Sequence, residues 1–456
     1  MVYMQIYLEN HLSTEDNETT AETISFWQAV LFWLKLGFIS FGGPAGQISV
    51  MHQELVEQKK WISEKRFMHA LNYCMLLPGP EAQQLATYIG WLMHKTKGGL
   101  IAGILFVLPS LFILIALSWV YIKFGHVPVI AGLFYGIKPA VTAIVFHATY
   151  RIGSKSLKNK FLWFIAALAF IAIFIFNIPF PIIVLLAALT GYLSSKKYPE
   201  LFSHQTHSAS HQSYGKAVID DDTPIPEHAK FKWSRLAQII IIAAILWSVP
   251  LISLFYIFGW HHTYTQMAWF FTKAALLTFG GAYAVLPYVY QGAVNYYHWL
   301  SPTQMIDGLA LGESTPGPLI MVVAFVGFIG AYSHQVLGES QFIAGVFGAV
   351  IVTWFTFIFS FLFILAGGPI IESTHNQIKF TAPLTAITAA VVGVILNLAL
   401  FFAYHVLWPK GFAGSFDYIA ALITILAMLA LFKFNQSVLR VIALSALTGL
   451  IIQMLF

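Results

Sequence analysis

The sequence predicts an all-α, polytopic membrane protein made of two inverted-topology repeats, with broken or re-entrant helices where the repeats meet. Three observations carry this expectation. Of 456 residues, 58% are hydrophobic and 9% charged, against about 25% charged in a soluble domain. The chain also matches itself at a constant offset. Finally, basic residues that fill one loop of the first copy are missing from the equivalent loop of the second.

The first 23 residues form a polar, acidic tail with Glu9, Glu15, Asp16, Glu18 and Glu22. It lacks the basic start and short apolar core of a cleavable signal, so insertion is expected to rely on the later helices. A first repeat follows over 24–195. Its opening regions, 24–43 and 67–94, are apolar but interrupted by Gly and Pro, whereas 99–122, 128–150, 161–177 and 179–195 are uninterrupted. These runs are close to the length that crosses a bilayer, about 17–25 residues. Residues 196–235 read as a polar cytoplasmic linker and 236–261 as a connecting transmembrane helix. The second repeat, 262–456, restarts with broken regions at 262–281 and 305–332, then runs through 343–366, 381–404, 417–432 and 438–456.

The repeat rests on particular residues. At an offset of 238, Lys35 falls on Lys273, Phe41-Gly42-Gly43 on Phe279-Gly280-Gly281, Trp61 on Trp299, and Pro78-Gly79-Pro80 on Pro316-Gly317-Pro318. Farther along, Ala140-Val141-Thr142-Ala143 resembles Ala386-Ile387-Thr388-Ala389 at a slightly larger offset. The segment from Pro44 to Arg66 holds Lys59, Lys60, Lys65 and Arg66, while Ala282 to Gln304 holds no Lys or Arg. The positive-inside rule puts the first segment in the cytoplasm and the second on the other side. If the broken regions are re-entrant, four crossings and the connecting helix bring the second copy in upside down. The stretch from Glu54 to Arg66 is expected to lie along the cytoplasmic interface as one amphipathic helix.

Inverted repeats with discontinuous helices are the pattern of secondary transporters. Pro80 lacks an amide hydrogen and suits the first turn of a helix, so Pro-Gly-Pro should end one half-helix and start another near Glu81. Irregular backbone at membrane depth survives only where protein buries it or a hydrated cavity meets it. The exposed first amides, at the positive end of the helix dipole, suit an anion. Pro78, Gly79, Pro80, Pro316, Gly317 and Pro318 are therefore candidate binding residues. Gly42, Gly43, Gly280 and Gly281, preceded by Ser40 and Thr278, mark a second opening in each copy. Pro44 and Gln47 follow the first, although an amide there also serves to bridge helices.

Lys35 and Lys273 each lie in an apolar run six residues before a Phe-Gly-Gly. An ammonium near mid-bilayer costs about 2.5–3.5 kcal/mol on insertion scales, so it is normally paired or functional. Direct anion attraction, a salt bridge to Glu81, Glu313 or Asp307, and snorkelling to the interface all remain open. Glu81, Asp307 and Glu313 are candidates for proton coupling, since a buried carboxylate can exchange a proton near neutral pH. Glu81 also has a plainer role in the first turn of a helix. Its repeat partner is Leu319, so it is not a shared anion ligand.

Other function classes find little support. The net charge of +5 comes from Lys and Arg in short loops rather than along one face, which does not suit nucleic acid. Cys74, the single cysteine, excludes an internal disulfide framework and reads as packing. His204, His207 and His211 lack a completing carboxylate or cysteine, so no metal is expected, nor any other cofactor. For an intramembrane enzyme, Met51-His52-Gln53-Glu54-Leu55 lacks the second histidine of a zinc motif. The sequence does not decide between a monomer and a homo-oligomer.

The stretch FGGPAGQISVMHQELVEQKKWISEKRFMHALNYCMLLPGPEAQQLATYIGW, with FGGAYAVLPYV and ESTPGPLIMVVAFVGFIGAY in the second half, resembles the long-chain chromate ion transporter family. The resemblance covers both halves outside the linker and the acidic tail. It implies a prokaryotic inner-membrane protein that exports chromate, a tetrahedral dianion similar to sulfate, and confers chromate resistance. It also implies roles for the two Phe-Gly-Gly and Pro-Gly-Pro elements. Ala282 stands where the first copy has Pro44, so the openings need not be equivalent. A sulfate importer or exchanger on the same scaffold is the alternative reading.

Overall fold

Glycine and proline mark the central breaks, where one helix ends at Ile39 before Phe-Gly-Gly and another at Cys74 before Pro-Gly-Pro. A computed structural model describes residues 24–41, 43–198, 214–224, 226–373 and 381–455. The acidic tail, Gly42 and the three linker histidines lie outside the described residues. The first copy comprises α1 (Phe26–Ile39), α2 (Gly43–His52, continued by a π turn over Gln53–Gln58), α3 (Glu64–Cys74), α4 (Glu81–Phe124), α5 (Pro128–Ser156), α6 (Lys160–Phe174) and α7 (Phe180–Lys197). A connecting helix, α8 (Trp233–Phe258), leads to α9 (Thr263–Leu277), α10 (Ala282–Tyr290, continued by a π turn over Gln291–Tyr296) and α11 (Pro302–Ser314). After a 3-10 turn (Leu319–Met321) come α12 (Val322–Ser333), α13 (Gln341–Ser373), α14 (Thr381–Leu407), α15 (Tyr418–Phe432) and α16 (Val438–Leu455). Six described helices are long and apolar enough to cross a membrane.

α4 is two arms folded on each other. His94 (φ −132°, ψ 35°) and Lys95 (φ 56°) turn the chain back, so that arm 81–93 lies against arm 96–124. Small residues permit the approach: a Cβ on Gly98 would sit 2.3 Å from the Gly90 carbonyl oxygen, and one on Gly103 2.3 Å from Thr87 Oγ1. The second copy makes the same hairpin from α12 and α13, where Gly327 and Gly348 meet backbone to backbone.

These hairpins show which elements share a face. The start of α1 reaches the α4 turn, with the Phe26 and His94 rings 5.5 Å apart. Linker residues bind both the start of α3 and the end of arm 81–93: the Ser63 amide donates to Ile219 O (2.9 Å), and His228 Nε2 lies 2.9 Å from Trp91 O. Burial holds the His228 imidazole below its ordinary range. The broken helices of the first copy thus enter and return on the linker face. In the second copy, α9 starts beside α13 at the opposite face, where the Tyr264 hydroxyl donates to Ala344 O (2.9 Å). α13 then runs toward the linker face while arm 96–124 runs away from it, so the copies are inverted.

The later helices clasp across the repeats. A Cβ on Gly393 of α14 would lie 2.0 Å from Ala166 O of α6, and Gly191 of α7 abuts Ala382 O. Reciprocally, Gly449 of α16 meets Gly136 N and Gly132 O of α5. α8 has no repeat counterpart and no fully buried residue, as a helix on the lipid-facing exterior requires.

The stretch from Glu54 to Arg66 is not one interfacial helix. The π turn ends at Gln58, Lys60 takes φ 50°, and α3 restarts at Glu64 under a Ser63 cap. Burial of Trp61 beneath this bend explains the break, and Trp299 is buried at the same repeat position.

Candidate functional site

The Phe-Gly-Gly and Pro-Gly-Pro breaks converge between the two copies. Gly79 (φ 125°) and Gly317 (φ 94°) take backbone conformations open to glycine and strained for other residues. Each uses its amide to reach the other repeat. Gly79 N donates to Thr278 O (2.7 Å), and Gly317 N donates to Ser40 O (2.8 Å). Since Ser40 and Thr278 share a repeat position, as do Gly79 and Gly317, this is one bond made twice across a pseudo-twofold axis.

Side chains brace the loops. Gln84 Nε2 donates to Pro78 O (2.8 Å), and Gln47 Nε2 donates to Gly317 O, so Gln47 ties the copies together. The two Phe-Gly-Gly loops also meet. A Cβ on Gly281 would lie 3.9 Å from the Pro44 ring and 3.8 Å from Glu81 Oε1, and one on Gly43 3.8 Å from the Tyr283 ring. Gly280 lies beside Thr388 of the repeated Thr-Ala motif. Starts of α2, α10 and arm 81–93, with the 3-10 turn after Pro318, are thereby gathered in one region. The first amides of a helix have no partner within it, and its N-terminus carries about half a positive charge.

The acids separate into two places. Glu81 is at this junction, and so is Glu313, whose carboxylate accepts from the buried Tyr283 hydroxyl. Asp307 is elsewhere. It accepts from the Tyr121 hydroxyl (2.8 Å), lies 3.5 Å from Lys138 Nζ, and borders a cavity of about 720 Å³ at the opposite face. Both repeat-related lysines lie away from the breaks' polar contacts. Lys35 binds Glu54 at 2.9 Å with its side chain 57% exposed, and half-buried Lys273 rests 5.8 Å from the Trp269 ring.

Four polar groups were not singled out in the sequence. Lys138 sits within an apolar run, which is itself a signal. Glu372 ends α13 and accepts from Tyr88, with Arg66 Nη1 3.4 Å away, at the linker face. Ser110 and Ser360 carried no signal, because a serine in a membrane helix is ordinary.

A family model described as chromate transporter matches residues 27–192 and 265–450. The chromate transport protein of Cupriavidus metallidurans is 30% identical over 433 residues, which cover 95% of this chain and 94% of that protein. The chromate transport protein of Pseudomonas aeruginosa is 31% identical over 399 residues, 85% of this chain and 84% of that one. An uncharacterized transporter of Bacillus subtilis, YwrB, is 30% identical over 142 residues, 31% of this chain and 72% of its own. No solved structure matches the chain. Because the family model spans both inverted copies, including every break that meets between them, the chain belongs to the chromate transporter family.

Proposed function

We propose that this protein moves chromate out of a prokaryotic cell across the inner membrane by alternating access, with the dianion held where the broken helices converge. The observation that carries this reading is the reciprocal pair of backbone bonds, Gly79 to Thr278 and Gly317 to Ser40. They hold two helix starts from oppositely inserted repeats around one region, and the first amides and dipole of such a start stabilise negative charge without a fixed cation. The linker face is the cytoplasmic one, given its Lys and Arg. A dianion leaving a cell of negative interior gains about 4.6 kcal/mol per 100 mV, twice the single-charge value, so export needs no coupled ion. Where a proton does accompany the anion, Glu81 and Glu313 are the groups at the junction, and Asp307 is the one at the outer cavity.

The test is chromate flux in proteoliposomes under an imposed potential, with sulfate as competitor. Chromate flux that follows the potential and falls with added sulfate is the expected result. Purified, folded protein that moves neither anion would overturn the reading, and preferential sulfate uptake would replace it with the importer.

A further inference from the structure

Hydroxyls in the helices of this protein mostly bond back to the carbonyl one turn earlier. In α4, Ser118 donates to Leu114 O (2.6 Å); in α13, Thr353 donates to Ala349 O (2.7 Å) and Thr356 to Val352 O (2.6 Å). Ser110 and Ser360, in the same two helices, do not. Both are completely buried and neither hydroxyl has a hydrogen-bond partner. Buried polar groups are nearly always paired, so each exception needs a reason.

Their positions supply one. Ser110 and Ser360 each face the Pro-Gly-Pro glycine of the other copy: a Cβ on Gly317 would lie 2.8 Å from Ser110 Cβ, and one on Gly79 2.7 Å from Ser360 Oγ. Ser40, whose carbonyl receives the Gly317 amide, is a third buried serine with an unpartnered hydroxyl. Its repeat partner Thr278 is not free, because it donates to Ala274 O (2.6 Å). The two junctions therefore differ. The Gly317 junction offers two free hydroxyls and has Leu319 after its Pro-Gly-Pro; the Gly79 junction offers one and has Glu81 there.

We propose that Ser40 and Ser110 are substrate ligands whose hydroxyls donate to the transported tetrahedral oxyanion, and that the Gly317 junction is its binding place in preference to the Gly79 junction. This rests on the transport reading above and sharpens it. Neutral donors suit a carrier: they replace water around the anion, leave no buried cation when the site empties, and let the anion go.

Alanine variants test the assignment, because alanine keeps the small size that lets glycine approach. Removing an idle buried hydroxyl should leave the empty protein at least as heat-stable as the wild type. For Ser40→Ala and Ser110→Ala, KM for chromate should rise about tenfold each, the loss expected for one bond to an ion. The chromate-induced rise in melting temperature should shrink in parallel. Ser360→Ala should change KM less than threefold, and Ser118→Ala not at all. Unchanged KM and an unchanged ligand-induced shift in Ser40→Ala and Ser110→Ala would overturn the proposal, leaving the serines as spacers or water ligands. A wild type with neither flux nor shift would overturn the transport reading, and this proposal with it.

Discussion

At the linker face, Arg66 and Glu372 approach to 3.4 Å, Tyr88 donates to the same carboxylate, and Arg66 Nη2 donates to Thr223 O of the linker (2.6 Å). At the opposite face, the matching positions line an open cavity. Gln304 stands 238 residues after Arg66, and Ile122 stands 250 before Glu372, the same spacing that relates Ser110 to Ser360. The same two repeat positions thus form an ion pair at one face and hold an amide and an isoleucine on the cavity wall at the other. The linker, which has no counterpart in the second copy, adds a second layer through the Val218 and Ile219 amides on Lys60 O and Trp61 O (both 3.0 Å). Backbone symmetry relates the two faces, and side chains make them differ: an ion pair and the linker cover one, and a cavity of about 720 Å³ opens at the other.

The largest expected effect tests whether the mouths face opposite sides at all. Gln58 and Tyr296 hold one repeat position, at the ends of the two π turns, and both are exposed. In a Cys74→Ala background, Gln58→Cys should react with an impermeant thiol reagent only from the cytoplasm, and Tyr296→Cys only from outside. Labelling of both from one side would remove the inversion on which the comparison depends.

Next in size is the seal. Arg66→Ala leaves the Glu372 carboxylate buried without its charge partner, a change that costs about 3–5 kcal/mol for a fully buried pair. Because Arg66 keeps some exposure and Tyr88 remains, a loss near the lower end is expected. It should appear as a lower melting temperature. Glu372→Gln added to Arg66→Ala should restore part of the stability, because the orphaned charge is gone. If both variants melt like the wild type, the ion pair is not what closes this mouth.

The sequence made the inverted halves and their breaks legible because glycine and proline punctuate the backbone itself. Pro-Gly-Pro stops a helix whatever surrounds it, and α3 ends at Cys74 and arm 81–93 begins at Glu81. Partners across the fold were harder to read. Lys35 pairs with Glu54 because the α1–α2 hairpin brings them together, and that contact is invisible until the hairpin is known. Among the described residues its repeat mate Lys273 has no such partner, and Gly292 occupies the place of Glu54. The clasp of α6 and α7 on α14 depends on glycines that read, one at a time, as ordinary packing residues.

The smallest effect should come from the ion pair at the open mouth. Lys138 Nζ lies 3.5 Å from Asp307 beside the 720 Å³ cavity, and the lysine side chain is 27% exposed. Water can reach the lysine, and Tyr121 still donates to the carboxylate when the lysine is gone. Lys138→Gln should therefore cost about 1–2 kcal/mol, above the range of exposed pairs because the Asp307 carboxylate is itself only 3% exposed, and below the loss for Arg66→Ala because water reaches the lysine. Melting of the purified variant measures this directly against Arg66→Ala. A loss for Lys138→Gln as large as that for Arg66→Ala would mean that an ion pair stabilises both faces equally, and the asymmetry between them would then lie in the linker alone.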